Sequence, residues 1–206
     1  MPATALAKFN LDAAQCDALI VTAHSVDGTG VFLFPADSRA QITNAAFLNL
    51  FIAWEAFLEE AFALFMTGQL TINGTTPVRY VSPPTKELAK AMIVGNQRYF
   101  DYANVDFVRK FAALFFQNGY PFEPHLGSSA VDVADMRTMR NASAHITTST
   151  QRALESLAQR ILSVPSPGIS LYTLLTRVDP NSTIGDSVFG TYRDKLKAAA
   201  QLIATG

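Results

Sequence analysis

AAFLNLFIAWEAFLEEAFALFM, residues 45–66, is the stretch on which the reading of this chain turns. Almost every position is apolar, so it is either a membrane span or the central helix of a folded core. A span needs about 20 nearly uncharged residues. Asn49, Glu55, Glu59 and Glu60 interrupt this one, which assigns it to a buried helix. A helix that is apolar nearly all round has to be covered on every side, so it belongs at the centre of a helical bundle.

The flanks give that helix its ends. Asp37 or Ser38 supplies an N-cap oxygen for the unpaired first amides, and Gly68 is the stop after Met66. Upstream, residues 3–25 read as a helix that VDGTG (26–30) ends, with VFLFP (31–35) as a short apolar connector. Downstream, residues 67–84 have loop composition, with a small hairpin expected around Asn73-Gly74. Thr85 starts a short helix that Gly95 closes. Residues 104–119 form an amphipathic helix ended by Gly119 and Pro121, and 121–129 are read as a loop. Ser128 or Ser129 caps a helix that carries Arg140. Residues 147–162 open on a Ser/Thr cap and continue as a helix. VPSPG (164–168) breaks the pattern, and 187–204 form the last helix. The expected architecture is all-α: an antiparallel helical bundle with additional helices, in one domain over 1–206.

At 206 residues the chain buries a core without staples. Charged residues make up only 16% and the net charge is −1, so any nucleic-acid contact must come from a local patch rather than a global field. Cys16 is the sole cysteine, which rules out an internal disulfide and a cysteine-based zinc site and suits a reducing compartment, the cytoplasm. MPATALAKFNLDAAQ (1–15) has no basic segment leading into an apolar one, so no secretion signal is expected.

RNASAH (140–145) carries the chemistry. On a helix of about 100° per residue, Met136, Met139, Ser143 and Ile146 share the core face, and Arg140 lies at its edge. Asn141 and His145 lie together on the open side. Arg140 and His145 are roughly 140° apart on an ideal helix. They converge only if the last turn loosens, as β-branched Ile146-Thr147-Thr148 favours, or if the partner atoms come from a second chain. Imidazole exchanges a proton near neutral pH, guanidinium clamps phosphate oxygens, and Asn141 orients the ring. A base, an acid and an anion clamp suffice to cleave RNA without a metal: the 2′-hydroxyl attacks the adjacent phosphate, and Arg140 stabilises the charge that grows there. The plain alternative is a solvated helix end.

These residues, Arg140-Asn141-Ala142-Ser143-Ala144-His145, resemble the R-(polar)-x3-H signature of the HEPN superfamily, and within it the bacterial RiboL-PSP-HEPN and MAE-like groups. Trp54-Glu55-Ala56-Phe57-Leu58-Glu59 is similar to the Trp-Glu-x-aromatic pattern on a long early helix in some of its bacterial families. The likeness spans roughly residues 38–162. It implies an all-α homodimer with two motifs facing each other across the interface. It also implies a metal-independent endoribonuclease that leaves 2′,3′-cyclic phosphate and 5′-hydroxyl ends, without cofactor, in a toxin or phage-defence setting. Arg140, Asn141 and His145 would then be catalytic, and RNA and an antitoxin protein would be partners. In members paired with nucleotidyltransferase antitoxins a tyrosine stands two after the histidine. This chain has Thr147 there, so that pairing does not carry over. Inactive members that only bind RNA or nucleotide, or regulate as dimers, give the alternative function.

Other positions bear on the same reading. Glu55 and Glu59 share a helical face as supporting residues, with Glu55 a candidate to hold Arg140. As a metal pair they lack a histidine ligand. Arg98 and Arg137 are candidate RNA contacts. Arg98 belongs to residues 79–110, where Arg79, Lys86, Lys90, Arg98, Arg109 and Lys110 outnumber Glu87, Asp101 and Asp106 and interleave with Tyr99, Phe100 and Tyr102. Ordinary helix surfaces and core aromatics explain that segment better. His24 and His125 have no local partner and read as structural. No phosphate loop, dinucleotide loop, nucleophile elbow or HExxH motif is present.

Overall fold

The computed structural model describes residues 1–144 and 147–206 and, among them, an all-α protein. Its helices are α1 (Pro2–Ala23), α2 (Ala36–Met66), α3 (Lys86–Val94), α4 (Val105–Phe115), α5 (Phe122–Ser128), α6 (Ala130–Ala144), α7 (Thr148–Leu162), α8 (Leu171–Thr176) and α9 (Val188–Thr205). None of these helices is long and apolar enough to cross a membrane. The residues gather into two compact units. One is Met1–Asn10, Ala53–Ala134 and Lys195–Gly206; the other is Leu11–Ile52 and Asp135–Asp194. VPSPG lies within the second unit and bounds nothing.

The first unit is built on aromatic packing around the second half of α2. Trp54 is fully buried, stacked on Phe57 with ring centroids 5.9 Å apart and edge-on to Phe9 at 6.0 Å. Two turns on, Phe62 stacks on Phe122 of α5 at 4.0 Å and packs against Phe116 at 5.8 Å. Lys86 and Lys90 of α3 pair with Glu60 at 2.5 and 3.4 Å. The α2 terminus follows from Gly68, whose φ of +89° only glycine adopts at low cost. The amide of Gly68 donates to Phe65 and that of Gln69 to Leu64, closing the last carbonyls in a Schellman arrangement. Arg79 adds a bond from Nη1 to the Met66 carbonyl at 2.9 Å. A Cβ on residue 68 would lie 2.4 Å from that nitrogen.

Three sequence expectations change here. The helix expected over 104–119 stops at Phe115 because the chain turns extended at Phe116. There Gln117 donates to the Val78 carbonyl and Tyr80 to that of Phe115, each at 2.8 Å. Residues 121–129, read as a loop, contain α5. Pro124 sits in its first turn, where a missing N–H costs nothing. The Asn73-Gly74 segment turns, with Thr71 donating to the Thr75 carbonyl at 2.9 Å, but no strand ladder follows.

The second unit holds the first half of α2, with Phe47, Leu50 and Phe51 buried, together with α7, α8 and the buried Met136 and Met139 of α6. Helix α2 begins at Ala36, so Asp37 stands in its first turn rather than capping it. Thr147 caps α7 through a reciprocal box with Thr150. Arg193 of α9 is held by Asp17 at 2.6 Å and Asp194 at 2.8 Å. The short α8 carried no signal that the sequence reading picked out.

Phe62→Ala removes a ring that three elements share. It is expected to lower stability by about 3–5 kcal/mol, read as a shifted urea midpoint with unchanged slope.

Candidate functional site

Helix α6 positions two of the three motif residues. Val133, Met136 and Met139 are fully buried on one face, and that packing fixes how the rest of the helix points. Arg140, expected at the edge of the core face, is exposed. Its Nη1 donates to Oδ1 of half-buried Asn141 at 3.2 Å. Among the described residues no carboxylate pairs with Arg140. Its charge therefore stays available to an anion, while the amide beside it restricts its rotamers. Arg137, half-buried, lies on the same helix one turn before Asn141 and has interactions of its own. His145 and Ile146 lie outside the described residues; in sequence they follow Ala144, where α6 ends, and precede Thr147, which caps α7.

Only residues 145–147 separate α6 from α7 in sequence, and Asp135 of α6 ties the two helices. Its carboxylate accepts from Arg160 of α7 and, at 2.7 Å, from the buried Tyr192 hydroxyl of α9. The hydrogen bond to Asp135 raises the Arg160 pKa further. The sequence reading does not pick out this cluster. The available signal was an acid within about 40° of Met139 on the core face. A buried carboxylate has to be paired, because an unpaired one costs several kcal/mol.

Beyond the helix cap, a groove of about 480 Å³ is lined by Thr147, Thr148, Gln151, Arg152 and Glu155. One wall is fixed: the Glu155 carboxylate accepts from the Gly168 amide at 2.7 Å and from Gln151 at 3.1 Å. Those bonds, Gly168 foremost, lower its pKa. Glu155 is thereby tied to the 164–168 loop. Arg152 on the other wall is exposed.

The remaining candidates fall in the first unit. Trp54 is core. Glu55 and Glu59 share α2, and Glu59 faces Lys90 of α3 at 3.7 Å; Glu55 too has interactions of its own. Arg98 and Tyr99 are exposed, whereas Phe100 and Tyr102 are buried, so the interleaved aromatics of that segment are mainly core. Among the described residues no group of three or more His, Cys, Asp and Glu side chains gathers where it could hold a metal.

Other reactive groups are accounted for by packing. Burial, with the charges of Asp17 and Asp12, pushes the Cys16 thiol up to about 11, which leaves almost no thiolate near neutral pH. His24 stacks on Tyr172, and its ring nitrogens bond the Ile20 carbonyl at 2.9 Å and the Tyr172 hydroxyl at 3.2 Å. His125 on α5 has its Nε2 buried without a partner among the described residues, and burial lowers its pKa below the usual 6.5.

No known protein family, curated protein or solved structure matches this chain.

The depressed His125 pKa has a definite sign. Above about pH 6.5 both folded and unfolded chains carry a neutral ring, so nothing is lost. Below it the unfolded chain takes the proton first, and stability falls until the folded ring titrates too. Between about pH 7.5 and 5.5, the urea midpoint of His125→Gln is expected to fall less than that of the natural protein.

Proposed function

We propose that the end of α6 carries a metal-independent endoribonuclease site of the HEPN type, made by Arg140, Asn141 and His145. The observation that carries this reading is the exposed Arg140 guanidinium, bonded at 3.2 Å to neutral Asn141 rather than to a carboxylate. It stands five residues before a histidine at the end of a helix. Other arginines of the chain are spent on structure: Arg79 on a helix terminus, Arg109 on Glu123, Arg160 on Asp135 and Arg193 on Asp17.

In this reading RNA binds with its scissile phosphate against Arg140. His145 takes the proton of the 2′-hydroxyl, whose oxygen attacks the adjacent phosphorus. The bond to the 5′-oxygen breaks, and that oxygen is protonated by imidazolium, supplied by His145 or by its counterpart in a second copy. A 2′,3′-cyclic phosphate and a 5′-hydroxyl remain. Arg140 neutralises the charge on the non-bridging oxygens, and Asn141 holds the guanidinium in place. Arg152 adds positive charge on α7, which has no acid in its first turn. The setting that goes with the resemblance is a homodimer acting as a toxin or in phage defence.

Labelled single-stranded and structured RNAs incubated in EDTA test the proposal. Cleavage is expected, with cyclic-phosphate ends. His145→Ala is expected to slow it about 10²–10⁴-fold and Arg140→Ala about 10²–10³-fold. Cleavage that survives both substitutions sinks the mechanism. RNA binding without turnover by the natural protein selects the non-catalytic alternative.

A further inference from the structure

Helix α4 carries more apolar surface than its own unit covers. Val105, Val108 and Ala112 are buried. The apolar arc then runs on, at about 100° per residue, through Phe115, Phe111 and Phe107 to Leu114. The three phenylalanines are only half-buried, and Leu114 is 64% exposed. They are not loose. Phe107 and Phe111 sit 4.7 Å apart, Phe111 and Phe115 6.0 Å, and Phe100 backs the row at 4.9 Å from Phe107. A rigid aromatic row on a water-facing shoulder has already lost its rotamer entropy, which lowers the cost of docking.

The charges beside the row identify the occupant. Asp106 and Lys110 stand one turn apart along its edge. Asp106 is 76% exposed, with only a 3.6 Å contact to Arg109. Lys110 is exposed and has no ion pair among the described residues. One helix therefore presents an apolar stripe flanked by an acid and a base in series. That pattern is complementary to itself when reversed. Two copies of α4 laid antiparallel about a two-fold axis level with Val108 set Asp106 of each against Lys110 of the other. The two Phe107 rings then meet near the axis. Such an interface is isologous and closes on itself as a dimer, with aromatics at its centre and charges at its rim.

We propose that α4 is a self-association surface whose occupant is a second copy of this chain, in register through Asp106 and Lys110. The inference rests on α4 alone, and absence of RNA cleavage would leave it standing.

The test is sedimentation velocity of the full chain over a dilution series. A dimer is expected. Lys110→Glu is expected to weaken it at least about tenfold by placing like charges face to face. Adding Asp106→Lys to that variant restores opposite charges in the reversed sense, and dimerisation should return. Far-UV melting shows that each variant is folded. As a second approach, Asp106→Cys with Lys110→Cys should form an inter-chain disulfide under mild oxidation, since the native Cys16 is buried. A monomeric natural protein, a dimer indifferent to Lys110→Glu, or a cysteine pair that joins no chains would overturn the proposal.

Discussion

The burial that α2 demands is the constraint from which the rest follows. Over 31 residues it offers apolar side chains in every direction, and a helix of that kind is stable in water only when other elements surround it. Phe47, Leu50 and Phe51 are covered in one unit, and Trp54, Phe57, Phe62 and Phe65 in the other. The demand explains why short helices such as α3 and α5 exist at all. With nine and seven residues neither would hold together alone. Each is held by what it covers: α5 by the Phe122 ring against Phe62, α3 by buried Ala89 and Ile93 and by its lysines on Glu59 and Glu60.

Such a core leaves few places for polar groups, and the chain uses its arginines to satisfy them. Arg79 closes the carbonyl end of α2, Arg160 neutralises buried Asp135, and Arg193 gathers the acids of α9 and α1. The Asp135 pairing is obligatory, because that acid is already withdrawn from water. Arg140 is placed differently. Its neighbour is a neutral amide on its own helix, and among the described residues no carboxylate calls for a cation there.

What the sequence could reveal depended on how local the cause was. The long helix, the Gly68 stop, the Thr85 and Thr147 caps and the buried Trp54 each rest on a few adjacent residues, and all were legible. The failures had distant causes. Helix α4 loses its last turn because residues 78–80 capture the backbone at Phe115–Gln117, some 37 residues away in sequence. Helix α5 forms in a segment with two prolines because Phe122 has a place to bury. Asp135 was not picked out because its partners Arg160 and Tyr192 lie 25 and 57 residues off. Within the candidate site, the helical period put Met136 and Met139 on the core face and Arg140 at its edge, and the width of the face actually covered leaves Arg140 exposed.

The end of α6, where the proposed site lies, stands apart from the contacts that tie α6 to α7 among the described residues. Leu154, Leu157 and Ala158 are buried along α7, and the Asp135 clamp fastens the helices about ten residues from the turn, some 15 Å along the axis. The Thr147–Thr150 box satisfies the first amides of α7 locally, without using any side chain of α6. Arg140 is exposed, and among the described residues neither it nor Asn141 takes part in capping α7. Their identities can be chosen for charge and hydrogen bonding, although a guanidinium held beside an amide at a helix terminus adds little to stability. A position that a fold has released from structural duty, yet anchors from both sides, is where chemistry is least costly to install.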